Sequence, residues 1–160
     1  VAMVFLMAGV GSRFAGTLSS WLLAKGRSFN VARKTPMLIA ALLAAPVFAV
    51  TWAPNVWVAA FLLGLTLAAH QMFSTSIFGL ATDVFPSRTI GLVIGIAATI
   101  AGFSGLAMNE YTGWVRDNDG GWAPMLALCA GAKIVAVFLV HLLVPNIDRR
   151  RDAMIAAEAA

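Results

Sequence analysis

The sequence predicts an all-α, polytopic transmembrane helix bundle, and three observations carry that reading. First, 61% of the 160 residues are hydrophobic and only 11% are charged, whereas soluble domains are about one quarter charged. Second, the apolar residues fall into five runs: Val1–Ala24, Thr35–Trp52, Trp57–Ala81, Ile90–Val115 and Trp122–Val144. Each is close to the roughly 20 residues that a helix needs to cross hydrocarbon. Third, most of the charges gather in the short separators between those runs. Spans of this kind are helical because only a helix satisfies its own backbone in lipid. The 14 glycines, five tryptophans and ten phenylalanines suit the same class, in which small residues pack helices and aromatic residues mark the interfaces.

The first span begins at Val1 already inside an apolar run, with no initiator Met and no basic leader. No signal peptide is therefore expected, and the sequence reads as one that starts partway through a larger protein. The span ends at the basic stretch Lys25–Lys34, which carries Lys25, Arg27, Arg33 and Lys34 and no acid. Arg13 lies twelve residues before Lys25, or about 18 Å at helical rise, and so near the middle of the bilayer. A charge there costs about 2.5–3.5 kcal/mol even on lenient scales, so it requires a polar cavity or an acidic partner. Gly9, Ser12 and Gly16 around it have small-residue helix-packing spacing. Two roles stay open for Arg13. Its guanidinium fork matches the carboxylate of an anionic solute, or it pairs with an acid in a missing N-terminal part.

The second and third spans are separated by Ala53-Pro54-Asn55-Val56, a tight uncharged turn followed by Trp57 as an interface anchor. Within the third span, His70, Gln71 and Ser74 fall on one helical face. Histidine and glutamine donate and accept hydrogen bonds, a set suited to the hydroxyls and carboxylate of a small polar solute. The same residues could equally hold helices together. A separator at Thr82–Thr89 follows, containing Asp83, Pro86 and Arg88.

The fourth span has Gly91, Gly95, Gly102 and Gly105, which suggest close helix contacts, while Asn109 and Glu110 sit toward its outer, solvated end. A polar turn, Arg116–Gly121, leads to Trp122 and the fifth span. Lys133 near the middle of that span has no strongly polar neighbour one turn away and reads as a snorkelling or paired lysine. Residues 145–160 form a tail with Asp148-Arg149-Arg150-Arg151-Asp152 and a frayed Ala-rich end.

Topology follows from the basic residues outside the spans. Lys25, Arg27, Arg33, Lys34, Arg88, Arg149, Arg150 and Arg151 fall on one side and Arg116 alone on the other. Cationic loops are held on the cytoplasmic side, so Val1 starts near the outer face and the tail is cytoplasmic. This bias also accounts for the net charge of +4 without nucleic acid as a partner. The single Cys129 excludes an internal disulfide. There is no phosphate-cradling glycine loop with lysine, no metal-spaced His or Cys cluster and no nucleophile–His–acid set. An enzyme, a cofactor and a bound metal are therefore not expected.

Three stretches together resemble the major facilitator superfamily, and within it the anion:cation symporters of the hexuronate and sugar-acid type. They are Gly16-Thr-Leu-Ser-Ser20 through Ala32-Arg33-Lys34, then Ala69-His70-Gln71 with Ser74 and Asp83-Val-Phe-Pro86, then Gly91-Leu-Val-Ile-Gly95. The resemblance implies helices eight to twelve of a twelve-helix transporter in a cell's inner membrane. It implies alternating access between two halves and uptake of an organic anion, with protons as the coupling ion. The partners so implied are the solute, protons, the lipid bilayer and the missing N-terminal helices. His70, Gln71, Ser74 and Arg13 would bind solute, and Gly16, Arg27, Arg33, Lys34, Asp83 and Arg88 would form the cytoplasmic gate and loop. The family commonly has an Asp where this chain has Ser20, so the latch that acid makes is not expected from Ser20. The other class left open is a non-transporting polytopic membrane protein, either an assembly subunit or a membrane enzyme using His70.

Overall fold

The computed structural model describes residues 2–118 and 121–158. Val1, Asp119 and Gly120, on which part of the topology and outer-loop reading falls, lie outside the described residues. Among the described residues six α-helices follow one another: α1 (Ala2–Ala24), α2 (Phe29–Ala44), α3 (Val56–Val84), α4 (Ser87–Asp117), α5 (Ala123–Leu143) and α6 (Ile147–Glu158). A 3₁₀ segment, Ala45–Trp52, continues α2, and no strand occurs among the described residues. The five expected spans are all present as helices long and apolar enough to cross a membrane.

The helix boundaries differ from the sequence reading for local reasons. The basic stretch is mostly helix: only Lys25–Ser28 separates α1 from α2, so Arg33 and Lys34 ride on α2. Gly26 permits that short link with φ +72°. Its N–H bonds the Leu23 carbonyl and the Arg27 N–H reaches back to Leu22, the paired bonds that end a helix with a left-handed residue. Ser28 then caps α2 by accepting from the Val31 N–H at 3.3 Å.

The second span changes helix type at its outer end. Pro46 has no N–H to give the Leu42 carbonyl, and the chain tightens into the 3₁₀ segment from Ala45. Between α3 and α4 only Phe85 and Pro86 are non-helical, because a residue before proline is pushed to extended backbone, here φ −114° and ψ 142° at Phe85. Asp83 and Arg88 therefore stand on helix ends, not in a loop. The tail is helical from Ile147 through Glu158, and Ala159 and Ala160, the last residues of the end expected to fray, lie outside the described residues.

The packing centre is a three-helix unit. α3 lies along α1 over much of its length and packs along α2 as well. Ala15, Ala40 and Met72, one from each helix, meet in the core, with Leu18, Ile39, Leu43 and Phe73 around them. α5 leans on α2 and the 3₁₀ segment, and α4 touches mainly α3. None of the 18 most apolar residues of α4 is buried, as befits a helix hydrophobic on all sides that meets lipid or further helices.

The close approach of α1 and α3 depends on glycines. A methyl at Gly11 would sit inside the Ala68 carbonyl, and one at Gly64 would strike the Met7 sulfur. Gly9 and Gly16 meet nothing, so the packing glycine of this helix is Gly11 and not the Gly9–Ser12–Gly16 row. Gly11→Ala is expected to cost about 1–3 kcal/mol as overpacking, seen as a lower melting temperature in detergent. Gly9→Ala should be neutral or slightly stabilising in the same measurement.

Candidate functional site

At one end of the bundle α1, α2 and α3 are joined by a polar cluster. The Nε of Arg33 donates to Asp83 Oδ2 at 2.6 Å, and its Nη1 donates to Ser19 Oγ at 3.1 Å. Both charged side chains are largely withdrawn from solvent, at 20% and 12% exposure, and Ser19 is buried. Gly79, one turn before Asp83, makes room: a methyl there would lie 2.6 Å from Arg33 Nη1. Arg33 thus serves two helices from a third. A short, charge-assisted bond in a low-dielectric setting is strong only while both partners stay.

The same end carries a second set of links, to the tail. The Asp148 carboxylate of α6 accepts from the backbone N–H groups of Phe29 at 2.7 Å and Asn30 at 3.2 Å. Those donors begin α2 and have no intrahelical partner, and an anion suits the positive end of the helix dipole. Lys34 Nζ donates to the Pro145 carbonyl at 3.1 Å, the Arg151 guanidinium lies 4.0 Å from the Phe29 ring centroid, and Ile147 is fully buried.

Deeper in the bundle lies a second polar level. Thr75 donates to the Gln71 carbonyl at 2.9 Å and sits 3.1 Å from Ser12 Oγ. With the Thr75 proton given to Gln71, Ser12 is the donor of the other bond. This chain ties α1 to α3 one residue from Arg13 and one turn from Gln71. The side chains of His70 and Gln71 are exposed and that of Ser74 is partly so. They lie on the face of α3 opposite its buried residues Ala69, Met72, Ser76 and Leu80. Lys133 of α5 comes within electrostatic reach of His70, a neighbour that spacing along α5 alone does not show.

Of the residues expected in a solute site, His70, Gln71 and Ser74 share one face, while Arg13 does not join them. Arg13 is exposed on the side of α1 opposite Ala8, Gly11, Ala15 and Ser19, and it has no ion-pair partner among the described residues. Of the expected gate residues, Arg33 and Asp83 are brought together and Lys34 is tied to the tail. Gly16, Arg27 and Arg88 are exposed. Sequence reasoning missed Ser19, Gly79, the Ser12–Thr75 contact and Asp148. Gly79 was within reach, since it precedes Asp83 by one turn. Asp148 was hidden in a run of arginines.

These features define a multi-pass, all-helical membrane protein whose polar groups are concentrated at one end and along two outward faces. No family model matches the chain. It is 26% identical over 145 residues to the D-galactonate transporter of Escherichia coli O6:H1 (strain CFT073), an alignment covering 91% of this chain and 33% of that protein. It is 25% identical over 139 residues to the probable galactarate/D-glucarate transporter GudP of Bacillus subtilis (strain 168), covering 87% of this chain and 30% of the relative. The chain therefore spans about a third of the length of the curated relatives it matches. Both relatives are named as transporters of sugar acids.

The Arg33–Asp83 pair yields a clear test. Asp83→Asn leaves a largely buried guanidinium uncompensated and should cost about 3–5 kcal/mol. The double variant Arg33→Met/Asp83→Leu, which removes both charges, should recover most of that loss in a thermal double-mutant cycle. Additive losses would show that the pair does not hold the helices.

Proposed function

We propose that this chain forms helices eight to twelve of a secondary active transporter that imports a sugar acid or similar organic anion, hexuronate-like in chemistry, by proton-coupled symport. The observation that carries this reading is the similarity, over nearly all of the chain, to two proteins named as sugar-acid transporters. His70, Gln71 and Ser74 are the solute-binding group in this proposal, on a face of α3 that the three-helix core leaves open. Arg13 supplies the carboxylate contact from α1, provided that helices beyond this chain close a cavity around both faces. The Arg33–Asp83–Ser19 cluster holds the cytoplasmic ends of three helices as one unit, so that alternating access moves them together.

The membrane in this proposal is the inner membrane and the tail is cytoplasmic. In the protein expressed from its complete reading frame, cysteines at Ser28 and Ala153 should be labelled from the cytoplasmic side alone, and a cysteine at Asn118 from outside. Labelling of Ser28 from outside would overturn the orientation.

Solute binding separates the two roles of Arg13. In the same complete protein, Gln71→Ala removes one neutral hydrogen bond and should weaken sugar-acid binding several-fold to about tenfold. Arg13→Gln should weaken the acid far more than the matching neutral sugar, which gains relatively. An unchanged preference for acid over neutral sugar in a well-folded Arg13→Gln protein would remove Arg13 from the site. Restored folding on neutralising an acidic residue elsewhere would assign it to an ion pair.

A further inference from the structure

Between α2 and α5 runs a cleft of about 600 Å³ that the transport reading does not use. Its walls are almost wholly apolar: Val31, Met37, Leu38, Ala41, Leu42 and Ala45 on one side, with Ile134, Val137, Phe138 and Val140 on the other. Its polar lining residues, Asn30, Lys34, Thr35 and His141, all lie at the end where α2 begins and α5 finishes. We propose that this cleft binds one anionic phospholipid of the adjacent leaflet, its acyl chain between α2 and α5 and its phosphodiester between Lys34 and His141.

Length, polarity and charge each support that occupant. From Lys34 to Ala45 is eleven residues, or about 16 Å of helix. One leaflet of a 30 Å hydrocarbon core is about 15 Å deep, so the apolar floor runs from headgroup level to the middle of the bilayer. A free polar solute would leave that floor unsatisfied, and a buried helix would not explain why the polar groups stop at one end.

The mouth is cationic and donor-rich. Lys34 uses one N–H on the Pro145 carbonyl and keeps two more to give. His141 stands exposed in the last turn of α5. Arg149 and Arg150 line a hollow with Pro145, immediately beyond Lys34. No acid lines the cleft, and the nearby Asp148 carboxylate is already held by two backbone N–H groups. Asn30 Oδ1 is buried there without a partner among the described residues, so a lipid headgroup with hydroxyl donors answers it as well as the cations.

The test uses the protein expressed from its complete reading frame, delipidated in detergent and offered defined lipids before native mass spectrometry. Phosphatidylglycerol and phosphatidylcholine with identical acyl chains separate charge from chain. Glycerol 3-phosphate separates a lipid site from a phosphate site. The wild type should retain phosphatidylglycerol in preference to phosphatidylcholine and should not retain glycerol 3-phosphate. Lys34→Gln should reduce the preference roughly fivefold, as expected for a full cation near the surface, and His141→Gln should reduce it by less. Leu42→Trp, at a position 66% exposed on the cleft wall, should lower retention of both lipids by filling the floor. Lys34→Gln also loses the tie to Pro145, so His141→Gln and Leu42→Trp decide the matter if that variant misfolds. Equal retention of the two lipids overturns the proposal, as does a preference untouched by His141→Gln. So does crosslinking of a cysteine at Phe138 to another segment of the protein, which would show the cleft filled by polypeptide.

Discussion

In hydrocarbon the hydrophobic effect supplies no force between helices, because lipid tails are as apolar as the side chains they replace. Close van der Waals packing and hydrogen bonds must do the work. In this chain both act on the same three helices. Gly11 brings α1 against the backbone of α3, and the Ser12–Thr75 bond lies one residue further along α1. At the far end, Arg33 binds Asp83 and Ser19 together. The apolar core at Ala15, Ala40 and Met72 joins the same three helices. Remove either level and the small core residues have little area with which to hold α1.

Charge is sorted by depth, and that sorting builds the tail as well. The first turn of α2 has no acid of its own, and its N–H groups face the end crowded with Lys25, Arg27 and Arg33. Asp148 supplies the missing anion from α6, while Arg151 covers the Phe29 ring. α6 is the least apolar of the helices and would not be stable by itself over twelve residues. Its order comes from burial of Ile147 and from these contacts. The tail and α2 therefore stabilise each other, and a reading of either alone misses the other's part.

The five spans were legible because length and composition suffice to find them, and lipid permits few alternatives. Boundaries were less legible. Charged residues such as Arg33, Asp83 and Arg88 read as loop, yet they stand on helix ends, where side chains reach the interface while the backbone stays helical. Pro86 marked its turn correctly, but Pro46 changed helix type where a single span was expected. The polar stripe on α3 followed from spacing within one helix. Contacts between helices did not: Ser19 with Arg33, Ser12 with Thr75 and Asp148 with α2 join residues 14, 63 and 119 apart. No periodicity encodes such pairs, and without an alignment only three-dimensional packing reveals them.

The two outward polar faces share one physical feature. The core of α3 turns toward α1 and α2, leaving His70, Gln71 and Ser74 on its opposite side. The core of α1 turns toward α3, leaving Arg13 on its opposite side. Ser19, Ser76 and Arg33, by contrast, turn inward and are hydrogen-bonded within the bundle. Arg13 has no ion-pair partner among the described residues, and a charge at the depth expected of it would call for a polar surrounding. The tightly packed unit thus works as a scaffold that carries its unburied polar groups on the outward faces of α1 and α3. That division explains why Gly11, which holds the scaffold together, and Arg13, two residues later, point in opposite directions.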